Sequence, residues 1–429
     1  MRATLSALIV VSCSACWSEE DFRAKCIAAG NCVVTDAGAS GGGDATGGGA
    51  ATGGGAATGG GATMGGGAPT GGGIPDDGGL TWAGVVSELF DVPEGIDAGA
   101  DLTFVTLPAG PSGKWVGGVL NRRGEVICIP YSGGNLLRVG PDAGLSFFPT
   151  QHYGEWEGGV LLSDGGVVAL PYSTYRVLSF SGTAQSYLDA GLPRGGAEVP
   201  AYFEGGVLTL SEHLLLAPAK RWLPGVFSMA TGALTFVDAG DPGTVDTNGG
   251  HYAGAVLLAD GESALMVPRF ARRLMEVTPT SAVLHDGPGE VSGFSGGVLL
   301  PDGRVVLMPS SDRPFVTWDG ASITINGPST RGYFSAAWST NGYAYAVNSD
   351  QPAPNDLRLA IIDRHGVASE LPLAPDAGIF PGSHYGFVAR NDGVIVGCPY
   401  DSRQVLFISP VTRRTVTLST MTSPWVNKW

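Results

Sequence analysis

Basic residues are scarce in this chain: 24 Lys and Arg stand against 39 Asp and Glu, a net charge of −15 over 429 residues. No basic patch is available to displace phosphate counterions, so nucleic acid is excluded as the expected partner. Long apolar runs are also missing, and the longest clear one, Ala3 to Val11, is far short of the ~20 residues that span a bilayer. Beyond Gly79 no segment carries a convincing helical period, which points to an all-β chain. No C-x-x-C pair of the zinc type occurs in that region, and the whole chain has six Cys and six His. The sequence therefore predicts no metal and no cofactor.

What is present begins with MRATLSALIVVSCSACWSEEDF, in which one Arg precedes the apolar run and small residues lead to cysteine. This resembles a bacterial lipoprotein signal, with residues 1–15 removed and Cys16 acylated; Cys13 is the alternative. Using Cys16 leaves Cys26 and Cys32 as a candidate pair within a short segment, 16–39, where Ser18 and Asp21 could cap one short helix. Trp17 follows Cys16 where the inner-membrane retention signal would place Asp. The resemblance thus implies a lipid anchor in the cell envelope, on the outer membrane.

Glycine is abundant, 69 residues, and much of the excess lies in residues 40–79. There GGG recurs every six residues with only Ala and Thr between most copies. Nothing in that block can be buried, so it reads as a flexible tether.

The remaining segment, 80–429, repeats itself. "GGVLLSDGGVVALPYS" at Gly158 to Ser173 returns as "GGVLLPDGRVVLMPSS" at Gly296 to Ser311 and "GFVARNDGVIVGCPYD" at Gly386 to Asp401. Turn anchors fall at Gly124, Gly165, Glu212, Gly261, Gly303, Gly342 and Gly393, about 45 residues apart. An aromatic precedes the small-residue strand in six copies: Trp115, Trp156, Phe203, Tyr252, Phe294 and Tyr333, with His384 in the seventh. Proline follows the second strand in every copy but the sixth.

Each copy contains a small-residue strand, a tight Asp-Gly-type turn, a buried strand ended by proline, and two further strands. Four antiparallel strands in that length predict one propeller blade. Seven copies predict a single seven-bladed β-propeller, with GGVL innermost because small residues fit near the axis. The repeat resembles secreted bacterial β-propellers with tandem GGVL-x-x-DG-x(5)-P motifs, similar in shape to kelch and NHL propellers, and the resemblance implies the fold. Two segments compete to supply the outer strand of the last blade, Ser87–Phe90 and Thr415–Leu418. Cys128 and Cys398 lie in second strands of the first and last copies. Aligned on their prolines they differ by one position, which predicts opposite sheet faces and two buried free thiols.

No catalytic set emerges. Gly293-Phe294-Ser295-Gly296-Gly297 fits G-x-S-x-G but overlaps the repeat, where a nucleophile elbow needs a helix next. Asp246-Thr247-Asn248-Gly249 starts like a calcium loop and then fails at its twelfth place, Leu257. Three of the six histidines occur as His-Tyr just before inner strands: His152-Tyr153, His251-Tyr252 and His384-Tyr385. These six residues are the candidate ligand contacts at the loop-bearing end of the axis. The chain is thus expected to be a monomeric, tethered, noncatalytic binding or scaffold module for a carbohydrate, peptide or protein. A hydrolase or lyase at the channel mouth, with or without a metal, is the alternative.

Overall fold

The strands follow the repeat. In blade two, Trp156–Leu161 and Val167–Pro171 form a hairpin, and Arg176–Ser181 and Ala184–Asp189 extend the same antiparallel sheet outward. The turn closes because Gly165 sits at φ 89° and Asp164 Oδ1 accepts the Gly166 amide at 2.7 Å. Every anchor has positive φ, including Glu212 at 59°, the one anchor that is not glycine.

The computed structural model describes residues 32–33, 100–107, 114–132, 134–150, 155–182, 184–189, 202–220, 223–243, 251–286, 292–310, 313–330, 332–348, 358–372, 384–400 and 402–410. The lipidation candidates Cys13 and Cys16, the Gly-rich block, His152, Tyr153 and the loop at Asp246 lie outside these residues. No helix occurs among the described residues.

The protein is a β-propeller. Blades two to six span residues 156–189, 203–237, 252–286, 294–330 and 337–372, each a separate sheet ordered from inner to outer strand. The two-residue strand Cys32–Val33 adds parallel to the outer strand of blade three. One further sheet has eight strands and divides at a single parallel bridge, Tyr385 to Val116. One half is blade one, residues 114–149; the other is blade seven, residues 384–410 with Ala100–Thr106 as its outer strand. The described residues therefore hold seven four-stranded units.

Successive blades bury their faces against each other. Val168 and Leu170 of blade two pack on Phe203, Leu214 and Phe227 of blade three. Their neighbours Val167 and Ala169 turn the other way, onto Val119, Ile127 and Ile129 of blade one. The aromatics that open the inner strands are all buried: Trp115, Trp156, Phe203, Tyr252, Phe294 and Tyr333.

Two sequence expectations change. The closing strand is Ala100–Thr106, which pairs antiparallel with Gln404–Pro410 over its full length. Both earlier candidates for this place lie outside the described residues. Cys128 and Cys398 are not free thiols but form a disulfide, with Cα atoms 5.6 Å apart. The offset of one position has the opposite consequence in the ring. Blade one and blade seven meet through opposite faces of equivalent strands, so side chains of opposite parity point toward each other. Val126 and Cys128 accordingly share one buried cluster with Val396 and Cys398.

Candidate functional site at the channel mouth

The inner strands carry the site because their ladders slip. In six blades the pairing with the second strand shifts just after the opening residue, between Trp115 and Gly118, Trp156 and Gly159, Phe203 and Gly206, Tyr252 and Ala255, Phe294 and Gly296, and His384 and Phe387. Such bulges re-aim a side chain out of the ladder. Glycine makes the shift possible in blades one and two: Gly117 and Gly158 sit at φ 73° and 74°, and a Cβ on Gly117 would lie 2.6 Å from Gly158 Cα. Neighbouring backbones thus touch around the axis. The residue before each of these positions, among them Glu157, Glu204, Phe334 and Tyr385, lines a cavity of about 70 Å³ to which every blade contributes.

A second set of side chains comes from the residue after the strand-two proline. Tyr131, Tyr172 and Tyr400 occupy this place in blades one, two and seven, and Arg269 occupies it in blade four. With the inner-strand residues they form an aromatic wall. Ring centroids are 4.0 Å apart for Phe334 and Tyr385, 4.3 Å for Tyr385 and Tyr400, 5.7 Å for Tyr400 and Tyr131, and 5.3 Å for Tyr131 and Tyr172. The Lys114 ammonium lies 4.3 Å from the Tyr400 ring centroid, a cation–π contact.

Polar groups adjoin the Tyr131–Tyr172 end of the wall. Arg269 Nη1 donates to Glu204 Oε1 at 2.5 Å, and Glu204 is buried. Burial raises the Glu204 carboxyl above the ordinary range, and the Arg269 charge and hydrogen bond oppose the shift. Glu157, half-buried beside it, is raised well above that range by burial and by the Glu204 charge, again opposed by Arg269. Glu155 accepts a hydrogen bond from Ser173 Oγ and adds to the negative field on Glu157. Burial also raises the hydroxyls of Tyr131 and Tyr172, which hydrogen-bond to each other.

The sequence-derived candidates are distributed as follows. Tyr385 lines the cavity. His384 is buried within blade seven, where Nε2 donates to Gln404 O at 2.9 Å. This repeats the inter-strand bond that Trp115, Trp156 and Tyr252 make to Asn135 O, Arg176 O and Arg273 O, each the first residue of a third strand. Burial lowers the His384 pKa to about 4. Tyr252 is fully buried. His251 is buried too, and its carbonyl accepts the amides of Arg269 and Ala271 at 3.0 Å each, fixing the segment that carries Arg269. Among the described residues its Nδ1 has no hydrogen-bond partner, and burial lowers its pKa against the opposing charge of Asp241. Ser295 Oγ donates to Tyr333 O, inside a strand and with no helix following, so it has no nucleophile-elbow geometry. No group of three or more His, Cys, Asp or Glu is placed to hold a metal ion among the described residues.

Glu157, Glu204, Arg269 and Tyr400 were not singled out from the sequence as ligand contacts. The signal for them lies in two columns of the repeat, the residue after the opening aromatic and the residue after the proline. Both vary in chemistry while the flanking positions stay uniform.

This architecture defines the protein as a β-propeller with its polar and aromatic side chains gathered at the axis. The chain is similar to the virginiamycin B lyase of Staphylococcus aureus, at 11% identity and TM-score 0.59, covering 73% of this chain and 100% of that one. It is also similar to the extracellular domain of the hybrid two-component system protein BT3049 from Bacteroides thetaiotaomicron, at 9% identity and TM-score 0.54, covering 73% of this chain and 42% of that one. Kuenenia stuttgartiensis hydrazine synthase is similar at 10% identity and TM-score 0.52, over 72% of this chain and 98% of that one. At these identities the likeness is one of fold. No family model matches the chain, and no curated protein matches it.

Proposed function

We propose that this protein is an envelope-tethered, seven-bladed binding module whose ligand enters the cavity at the channel mouth. The observation that carries the reading is the set of bulged inner strands. They bring Glu157, Glu204 and Tyr385 to one concave site, above a ring where glycine backbones meet. Concave sites with an apolar wall and a few convergent polar groups are the usual form of a ligand site. The His251 carbonyl and the His384 ring support this site from behind, through Arg269 and through the blade-seven strand that carries Tyr385. The Cys128–Cys398 disulfide supports an extracytoplasmic location, since such bonds persist in oxidising compartments. The lipid anchor at Cys16, or at Cys13, rests on the N-terminal motif.

The test is a glycan and peptide array screened with the protein and with Tyr385→Ala. Loss of the hits in the variant, at an unchanged melting temperature, supports the reading. Equal binding by both proteins moves the site elsewhere. For the anchor, radiolabelled-lipid incorporation in a diderm host should vanish with Cys16→Ser. Persistence there, with loss in Cys13→Ser, reverses the choice of cysteine.

One observation favours a second reading, a hydrolase or lyase at the same mouth. Burial and the Glu204 charge raise the Glu157 carboxyl well above the ordinary range, the direction a general acid requires, beside a Glu204–Arg269 ion pair. Turnover that is lost in Glu157→Gln while ligand binding persists would establish it.

A further inference from the structure

The channel-mouth cavity has a chemistry more specific than concavity, and the inference below rests on that cavity being the ligand site. Two features meet in its lining. One is the aromatic pair Phe334 and Tyr385, which lines it and continues the wall through Tyr400. The other is Glu157, a carboxyl that accepts no hydrogen bond among the described residues, flanked by Glu155 and Glu204. Aromatic faces attract cations through the ring quadrupole, and a carboxylate out of water needs a partner. The protein already uses this wall for a cation of its own, since the Lys114 ammonium lies over Tyr400. A neutral sugar would satisfy the rings and leave the carboxyl with only Arg269, which Glu204 already holds, as a counter-charge.

We propose that the cavity takes an organic ammonium group, its alkyl surface against Phe334 and Tyr385 and its charge toward Glu157. A volume of about 70 Å³ suits such a headgroup and leaves the rest of the ligand outside the cavity. Three charged neighbours act on the protonation of Glu157: Glu204 and Glu155 favour its neutral form and Arg269 its charged form, while the nearby Tyr131 and Tyr172 hydroxyls are neutral. A cation bound there favours the charged form, so binding releases the Glu157 proton. Affinity then rises with pH until the carboxyl of the free protein is fully ionised.

Calorimetric titration of the full chain tests this with choline against its uncharged isostere 3,3-dimethylbutanol, at pH 6 and pH 8. Choline does not titrate, so the pH dependence belongs to the protein. The expected result is at least a tenfold preference for choline, tighter at pH 8, with roughly tenfold weakening in both Glu157→Gln and Tyr385→Leu. Two paired probes separate the sources of such a group: glucosamine against glucose, and Nα-acetyl-lysine amide against its norleucine counterpart. Neutral probes binding as tightly as charged ones would overturn the ammonium assignment; the cavity would still stand as the site if both variants weakened them. The absence of binding by every charged probe up to millimolar concentration would also overturn the assignment. Charged probes binding both variants as tightly as the unmodified protein would overturn the cavity as well.

Discussion

Cys128 of blade one is covalently joined to Cys398 of blade seven, and Gly118 leaves the space their bond occupies. A Cβ on Gly118 would lie 2.8 Å from Cys398 Sγ. The second glycine of GGVL in this copy therefore serves the ring's seam.

The bond spans 270 residues of sequence. Cross-links that close long loops restrict the unfolded chain most, and about 4 kcal/mol is the scale expected. Replacing both cysteines with alanine should lower the urea midpoint clearly, with the seam still held by Ala100–Thr106 on Gln404–Pro410. Equal midpoints with and without reductant, at two measured free thiols in the reduced sample, would show that the bond adds nothing.

His384 gives the fold a pH dependence on the acid side. Its folded pKa is lowered to about 4 by burial, and an unfolded histidine titrates near 6.5. Below about pH 6.5 the unfolded chain binds a proton that the folded one refuses, so stability falls as pH drops from about 6.5 to about 4, by roughly 3 kcal/mol at most. His384→Tyr restores the residue class that Tyr252 shows at the same repeat position, with its hydroxyl on Arg273 O. Melting curves between pH 4 and 7 should flatten in that variant. An unchanged slope would assign the dependence to other groups.

Glu157 acts in the opposite sense. Its carboxyl is raised in the fold, so the unfolded chain gives up the proton first as pH rises through about 4.3. The folded state loses stability from there until pH reaches the raised value. Glu157→Gln should therefore melt close to the unmodified protein at pH 4.5 and above it at pH 8. A difference between the two proteins that stays constant with pH would show that Glu157 is ionised throughout.

Glu212 occupies a turn position where every other copy has glycine, at φ 59°. Left-handed backbone costs an L-residue of the order of 1 kcal/mol, partly offset by the greater freedom glycine loses on folding. Glu212→Gly should stabilise the protein by roughly 0.5 kcal/mol, read from the urea midpoint. A loss of more than 1 kcal/mol would mean that the hydrogen bond from Ser163 Oγ to the Glu212 carboxylate outweighs the strain.

The fold was legible because four independent positions recur in register: an aromatic, a small residue, a turn anchor and a proline. Each has one physical job that every blade needs. The site was harder to read because its parts come from different copies. Glu157, Glu204 and Arg269 belong to three blades, and only ring closure sets them side by side. His384 was misleading by its rarity. In its own copy it is the counterpart of Trp115 and Trp156, and it bonds to the third strand as they do. The closing strand was missed because ADLTFVT alternates in burial like any outer strand, with no residue that marks its partner. The disulfide was missed because parity was judged within one sheet, when the two sulfurs belong to facing sheets.

Ala100–Thr106 and Gln404–Pro410, paired along their whole length, set an order of events for a chain emerging from its N-terminus. The first strand of the ring waits beside unfinished sheets until some three hundred further residues have arrived. Contacts so distant in sequence form slowly, because the loop must close before they are rewarded. A chain cut short anywhere before residue 404 leaves Ala100–Thr106 an unpaired edge, and one cut before Cys398 also leaves Cys128 without its partner. The seam thus works as a test of completeness. Only a chain translated through both of its halves can pair Ala100–Thr106 and join Cys128 to Cys398.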